Sequence, residues 1–97
     1  MLKLLRTPEA EQDLLDIWLH SFETWGAQQA DRYLQNLDQG MQQLTRTPNL
    51  GKPRDAARRG YRSLQIGRHV IYYRVLLDAI DVVRILHDRM DPDVQLN

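Results

Sequence analysis

Cysteine is absent from all 97 residues, which rules out disulfide frameworks, thiolate zinc sites and thiol nucleophiles together. Small secreted domains usually need such staples, so the chain reads as a cytoplasmic protein. Long apolar runs are missing too. The opening Met1-Leu2-Lys3-Leu4-Leu5-Arg6 is too short for a signal-peptide apolar region, and nothing approaches the roughly 20 residues of a membrane span, so no membrane partner is expected. There is no glycine-rich phosphate loop: Gly60 and Gly67 read as turn residues, one before each of two strands. His20, His69 and His87 lack the spacing of a helix-borne zinc pair, so neither a metal nor another cofactor is expected. No Ser-His-Asp signature occurs, and no basic helix is available for a DNA major groove, which argues against sequence-specific DNA binding.

Net charge is zero, which argues against a protein that coats nucleic acid. The charge is nonetheless unevenly placed. Residues 51–74 carry Lys52, Arg54, Arg58, Arg59, Arg62, Arg68 and Arg74 against Asp55 alone. Residues 1–50 carry Lys3, Arg6, Arg32 and Arg46 against seven acidic side chains. Such polarity suits an acidic partner or a phosphate at one end, or simply a solvated charged loop.

At this length the chain is one domain, residues 1–97, with a thin core. Leu2, Leu4 and Leu5 lie in a short strand-like run ended by Thr7-Pro8. Thr7 can cap a helix that has Pro8 in its first turn and Glu9 and Glu11 at the positive end of its dipole. Leu15, Trp18, Leu19 and Phe22 then recur at helical spacing, with Trp25-Gly26 as the stop. A second helix carries Ala30, Tyr33, Leu34, Leu37, Met41 and Leu44 on one face, and so short a link implies an antiparallel hairpin. A basic connector rich in helix breakers spans 47–59. A three-stranded meander follows: Tyr61–Ile66, a turn at Gly67-Arg68, His69–Leu76, a turn near Asp78-Ala79, and Ile80–His87. The fold expected is α+β, with the first strand joining the meander and a loosely held tail from Met90 to Asn97.

Strict alternation puts Ile80, Val82, Arg84 and Leu86 on one face of the last strand, and Asp81, Val83, Ile85 and His87 on the other. The preceding strand sets Val70, Tyr72 and Arg74 against His69, Ile71, Tyr73 and Val75. Strands apolar on both faces need cover on both, and two helices cover one. The second face is then a groove for a partner, or it is wrapped by the first strand, the connector and the tail.

Gly60-Tyr61-Arg62, Gly67-Arg68-His69-Val70-Ile71-Tyr72-Tyr73-Arg74-Val75 and Val82-Val83-Arg84-Ile85-Leu86-His87-Asp88-Arg89-Met90-Asp91, behind a strand and a helical hairpin, resemble the toxins of the ParE/RelE superfamily of type II toxin–antitoxin systems, nearer the ParE branch. The resemblance covers nearly the whole chain and implies the RelE/ParE toxin fold. It also implies a cognate antitoxin whose disordered C-terminal segment folds along the toxin in a hetero-oligomer, leaving the toxin marginally stable alone. Trp25, Tyr61, Tyr72, Tyr73, Arg58 and Arg59 are the antitoxin contacts expected, together with the aromatic face of the first helix. Trp18 is expected to be more buried than Trp25.

ParE-like toxins act on DNA gyrase and block replication without chemistry of their own, which by resemblance places Arg62, Arg74, Arg84, His87 and Arg89 at the target. A RelE-like endoribonuclease acting on the ribosome is the alternative. There His87 would serve as general acid–base, Arg62, Arg68 and Arg84 would hold phosphate, and Tyr73 would stack a base. Cleaving members place an aromatic close after the equivalent of His87; here Asp88-Arg89-Met90-Asp91 follows, and its acidic pair would repel RNA. The first reading is preferred on that ground.

Overall fold

The computed structural model describes residues 1–96 and runs β1 (Lys3–Arg6), α1 (Pro8–Trp25), α2 (Ala27–Arg46), β2 (Lys52–Pro53), β3 (Tyr61–Ile66), β4 (His69–Val75), β5 (Ala79–His87) and a one-turn α3 (Pro92–Gln95). Thr7 caps α1 as its sequence suggests: its Oγ1 accepts the Ala10 amide at 3.1 Å and donates to the Val83 carbonyl at 2.8 Å. Gly26 is the whole link between α1 and α2. Its φ of +91° lies where other residues are strained, so the chain reverses in one residue. The Trp18 indole then donates across the hairpin to Asp31 at 2.9 Å.

The sheet has five strands in the order β1-β5-β4-β3-β2. β1 joins the meander by pairing parallel with β5, from Lys3 opposite Ala79 to Arg6 opposite Val82. β2 was not foreseen in the connector. It is two residues long with a proline, too short for any alternation to show, and an edge position is where a proline can sit.

One face of the sheet meets the hairpin, with Ala10, Ile17, Leu37, Met41 and Leu44 packed on Ile71, Tyr73, Ile80, Val82 and Ile85. The opposite face buries Val70, Tyr72, Val83 and Leu86. It is not an open groove. Ala57 and Tyr61 of the connector side and Leu96 of the tail close it, while β1 takes no part because it lies in the sheet. Nor is the described tail loose: the Asp91 carboxylate caps α3 by accepting the Asp93 amide at 2.9 Å, and Leu96 is buried. Asn97 lies outside the described residues.

Strict alternation fails along β5 at one point. Tyr72 pairs with Arg84 but Tyr73 with Val82, so Val83 is the extra residue of a β-bulge. Beyond the bulge, Ile85 rather than Arg84 shares the hairpin side with Ile80 and Val82. Leu86 joins Val83 on the other side.

Candidate partner-binding site

The face that α1 turns to the core is small and aliphatic: Ala10, Ile17 and Ser21 are buried, and Leu14 packs on the cluster. The larger stripe read from the sequence points the other way. Leu15 is 52% exposed, Leu19 and Phe22 are exposed beside it, and Trp25 is 66% exposed at the helix end. Trp18, half-buried, stacks on Phe22 with ring centroids 5.2 Å apart. A helix with apolar residues on both sides has more apolar surface than its own core consumes, so this outer stripe is left without cover in the fold. Its border is acidic. Within α1 the ionisable side chains are Glu9, Glu11, Asp13, Asp16 and Glu23 with His20, and no lysine or arginine occurs there.

Most of the arginines read as binding residues are engaged inside the fold. Arg84 grips Asp13 at two points, Nε to Oδ2 at 2.8 Å and Nη2 to Oδ1 at 2.9 Å, and Asp13 also accepts the Ile85 amide. This hydrogen-bonded carboxylate raises the Arg84 pKa against the opposing effect of burial. Arg74 pairs with Asp81 at 2.9 Å. Arg62 donates to the carbonyls of Gly51 and Asn49, bracing the connector. Arg58 donates to the Leu96 carbonyl at 3.0 Å and lies 5.7 Å from the Tyr61 ring centroid. Arg59 and Arg89 are exposed, and neither side chain has a hydrogen bond or ion pair among the described residues.

Two of the aromatic anchors are core residues. Tyr73 is fully buried; its hydroxyl donates to the Pro48 carbonyl at 2.7 Å and accepts the Gly51 amide at 2.9 Å. It can neither stack a base nor meet a partner in this fold, since even Gly51 approaches it so closely that a Cβ there would stand 2.7 Å from the phenol oxygen. Tyr72 is buried under the tail, which pushes its hydroxyl pKa up. Trp25 and the half-buried Tyr61 stay reachable.

The end of the sheet beyond the β3–β4 turn holds a constellation that sequence spacing hid. His69 pairs with His87 across β4 and β5, their ring centroids 5.5 Å apart, and His20 of α1 lines the same small cavity. Tyr33 of α2 places its hydroxyl 2.6 Å from His69 Nδ1. Burial and the neighbouring His87 lower the His69 pKa, and burial raises that of Tyr33. The set proposed for RNA cleavage is not assembled here. Arg62 pairs with Tyr73, which pairs with Val82, so it lies five residues, roughly 16 Å, along the strands from His87. Among the described residues no group of three or more His, Asp or Glu side chains could hold a metal ion, and no helix is long and apolar enough to cross a membrane.

The family described as "ParE toxin of type II toxin-antitoxin system, parDE" matches residues 4–92. The chain is 40% identical over 95 residues to Toxin ParE1 of Mycobacterium tuberculosis, covering 97% of each protein. It is 36% identical over 87 residues to Toxin ParE1 of Caulobacter vibrioides, covering 90% of each. A solved structure titled "Chromosomal ParDE TA system from P. aeruginosa" superimposes with a TM-score of 0.78 at 26% identity, over 90% of this chain and 96% of that one.

Proposed function

This chain belongs to the ParE family, the toxins of type II toxin–antitoxin systems, and from that premise we propose that it binds and inhibits DNA gyrase until a cognate antitoxin neutralises it. The observation that carries the antitoxin half is the stripe Leu15, Leu19, Phe22 and Trp25, apolar and exposed on a helix whose other side already fills the core. An amphipathic segment laid along it would bury that stripe and meet the acidic border with basic side chains. Two stripes from separate copies would bring acidic borders together, which favours a different chain as occupant. Tyr61, Arg58 and Arg59, reachable on the connector side, form a second patch for the same partner, apart from the α1 stripe.

Inhibition by binding alone accords with the state of the arginines. Arg89 is unengaged beside the half-exposed His87, so these two and Arg59 are the groups ready for an acidic or phosphate-bearing target. Arg62, Arg74 and Arg84 would reach one only by releasing the bonds they make in the fold. The endoribonuclease reading loses support because Tyr73 is buried and Arg62 is remote from His87. The test is a supercoiling assay with purified gyrase, run beside RNA cleavage on translating ribosomes. Loss of supercoiling with RNA intact is expected; cut RNA with untouched gyrase overturns the proposal.

A further inference from the structure

The histidine end encloses a cavity of about 110 Å³, lined chiefly by His20, His69, His87, Trp25, Tyr33 and Arg68. Its hydrogen-bonding character follows from where the ring protons sit. The Tyr33 hydroxyl oxygen accepts the Arg68 amide at 3.1 Å, so its one proton goes to the His69 Nδ1 at 2.6 Å or to the Ile66 carbonyl at 3.4 Å. Assigning it to the shorter bond leaves neutral His69 with its hydrogen on Nε2, the tautomer on which the proposal below is built. His87 Nδ1 accepts the Arg89 amide at 3.2 Å, and Asp88 Oδ1, 3.1 Å from the same nitrogen, becomes its ion-pair partner when the ring is protonated. In both of those states His87 Nε2 carries a hydrogen. Neither Nε2 has a partner among the described residues. Arg68 adds further donors, held only loosely by Asp88 at 3.9 Å.

The cavity wall is mostly apolar; its cationic or proton-donating groups come from Arg68 and the histidines, and no carboxylate lines it among the described residues, a composition that suits one small anionic acceptor. At about 110 Å³ it is far below the roughly 300–1,000 Å³ of pockets for drug-sized ligands, so it takes one group and not a nucleotide. Asp13 and Asp16 line the depression next to it and Asp88 stands at its edge, which disfavours a multiply charged phosphate more than a single negative charge. Trp25 and the Tyr33 ring offer an apolar wall for a short aliphatic stem. The geometry points to a carboxylate-receiving pocket, and its ligand is an aspartate or glutamate side chain of the antitoxin, an assignment of source that rests on the function proposed above. Trp25 belongs to both the α1 stripe and this cavity, so a segment following the stripe arrives at the pocket.

The chain alone is titrated with sodium acetate, and separately with inorganic phosphate, while histidine ring signals are followed by NMR. Groups facing the pair are Asp13, Asp16 and His20 of α1, Tyr33 of α2, Arg68 of the turn, and Asp88 and Arg89 after β5. Acetate is expected to give saturable shifts of the His69 and His87 ring signals, because both rings line the cavity. His87→Leu should abolish the saturable response. His87→Gln, which keeps a donor near the Nε2 position, should retain it, and Arg68→Met should weaken acetate several-fold while leaving the Arg68 amide bond in place. A response that never saturates, that survives His87→Leu, or that phosphate alone produces overturns the pocket. Bound antitoxin should remove the acetate response. If the response persists in the complex, the antitoxin is not the ligand's source although the toxin–antitoxin reading stands. If no antitoxin binds at all, both the source and that reading fail, and the free-chain titration still decides the pocket.

Discussion

On its hairpin side the sheet lies beneath two long helices, whereas on the other side the apolar cover over Val70, Tyr72, Val83 and Leu86 comes, among the described residues, from Ala57, Tyr61 and Leu96. The same two strands, β4 and β5, thus belong to a deep cluster and a shallow one. Depth decides how easily each opens, since segments held by few apolar contacts unfold locally at small free-energy cost. The tail is fastened by Leu96 and by two carbonyls, Leu96 to Arg58 and Gln95 to Arg84, the latter at a long 3.4 Å. The shallow side is therefore the one that yields first.

Truncations test that inequality most strongly. Leu37→Ala in the deep cluster should cost about 3 kcal/mol by leaving a cavity that two helices and a sheet cannot close. Leu96→Ala should cost about 1 kcal/mol, because a chain end relaxes around the loss. Equal costs in denaturant titrations would break the comparison. Next comes Tyr73→Phe, expected to destabilise by about 2 kcal/mol, since it strands the Pro48 carbonyl and the Gly51 amide. The same variant should speed proteolysis of the connector and leave the tail unaffected.

A smaller effect comes from pH. The His69 pKa is lowered in the fold by burial and by His87, from 6.5, so the unfolded chain takes up a proton more readily. The stability this gives is complete above the unfolded value and is lost as pH falls from there through the folded value. Thermal melts should show such a decline below pH 6.5, flattened in His69→Gln. Smallest in stability, and largest in binding, is Leu19→Ser on the outer stripe. It should change folding by less than about 0.5 kcal/mol yet weaken antitoxin binding measured by calorimetry.

Thr7, Gly26 and the stripe of Ala30, Leu37, Met41 and Leu44 made the helical hairpin readable, since capping, a stop and helical spacing are local properties. The meander strands were legible for the same reason, down to their turns. What failed was long-range. The bulge at Val83 depends on two strands sharing unequal lengths, so alternation alone put Arg84 with Ile80 and Val82. On α1 two apolar stripes compete for the core, and the smaller side chains win because they let the helix lie close to the sheet. Tyr72 and Tyr73 point to opposite faces, and covering each took the connector on one side and the tail on the other. The pairing of His69 with His87, with Tyr33 behind them, joins three elements far apart in sequence. Only the register of β4 on β5 reveals it.

Trp18 and Trp25 are the chain's two tryptophans, and both stand on the outer side of α1. Their fluorescence in the free chain and in complex with the cognate antitoxin is thus a direct report on the surface that carries the proposed function. A shift to shorter wavelength with loss of quencher access is predicted when the complex forms. A stable complex in which both tryptophans remain as exposed as before would contradict the account.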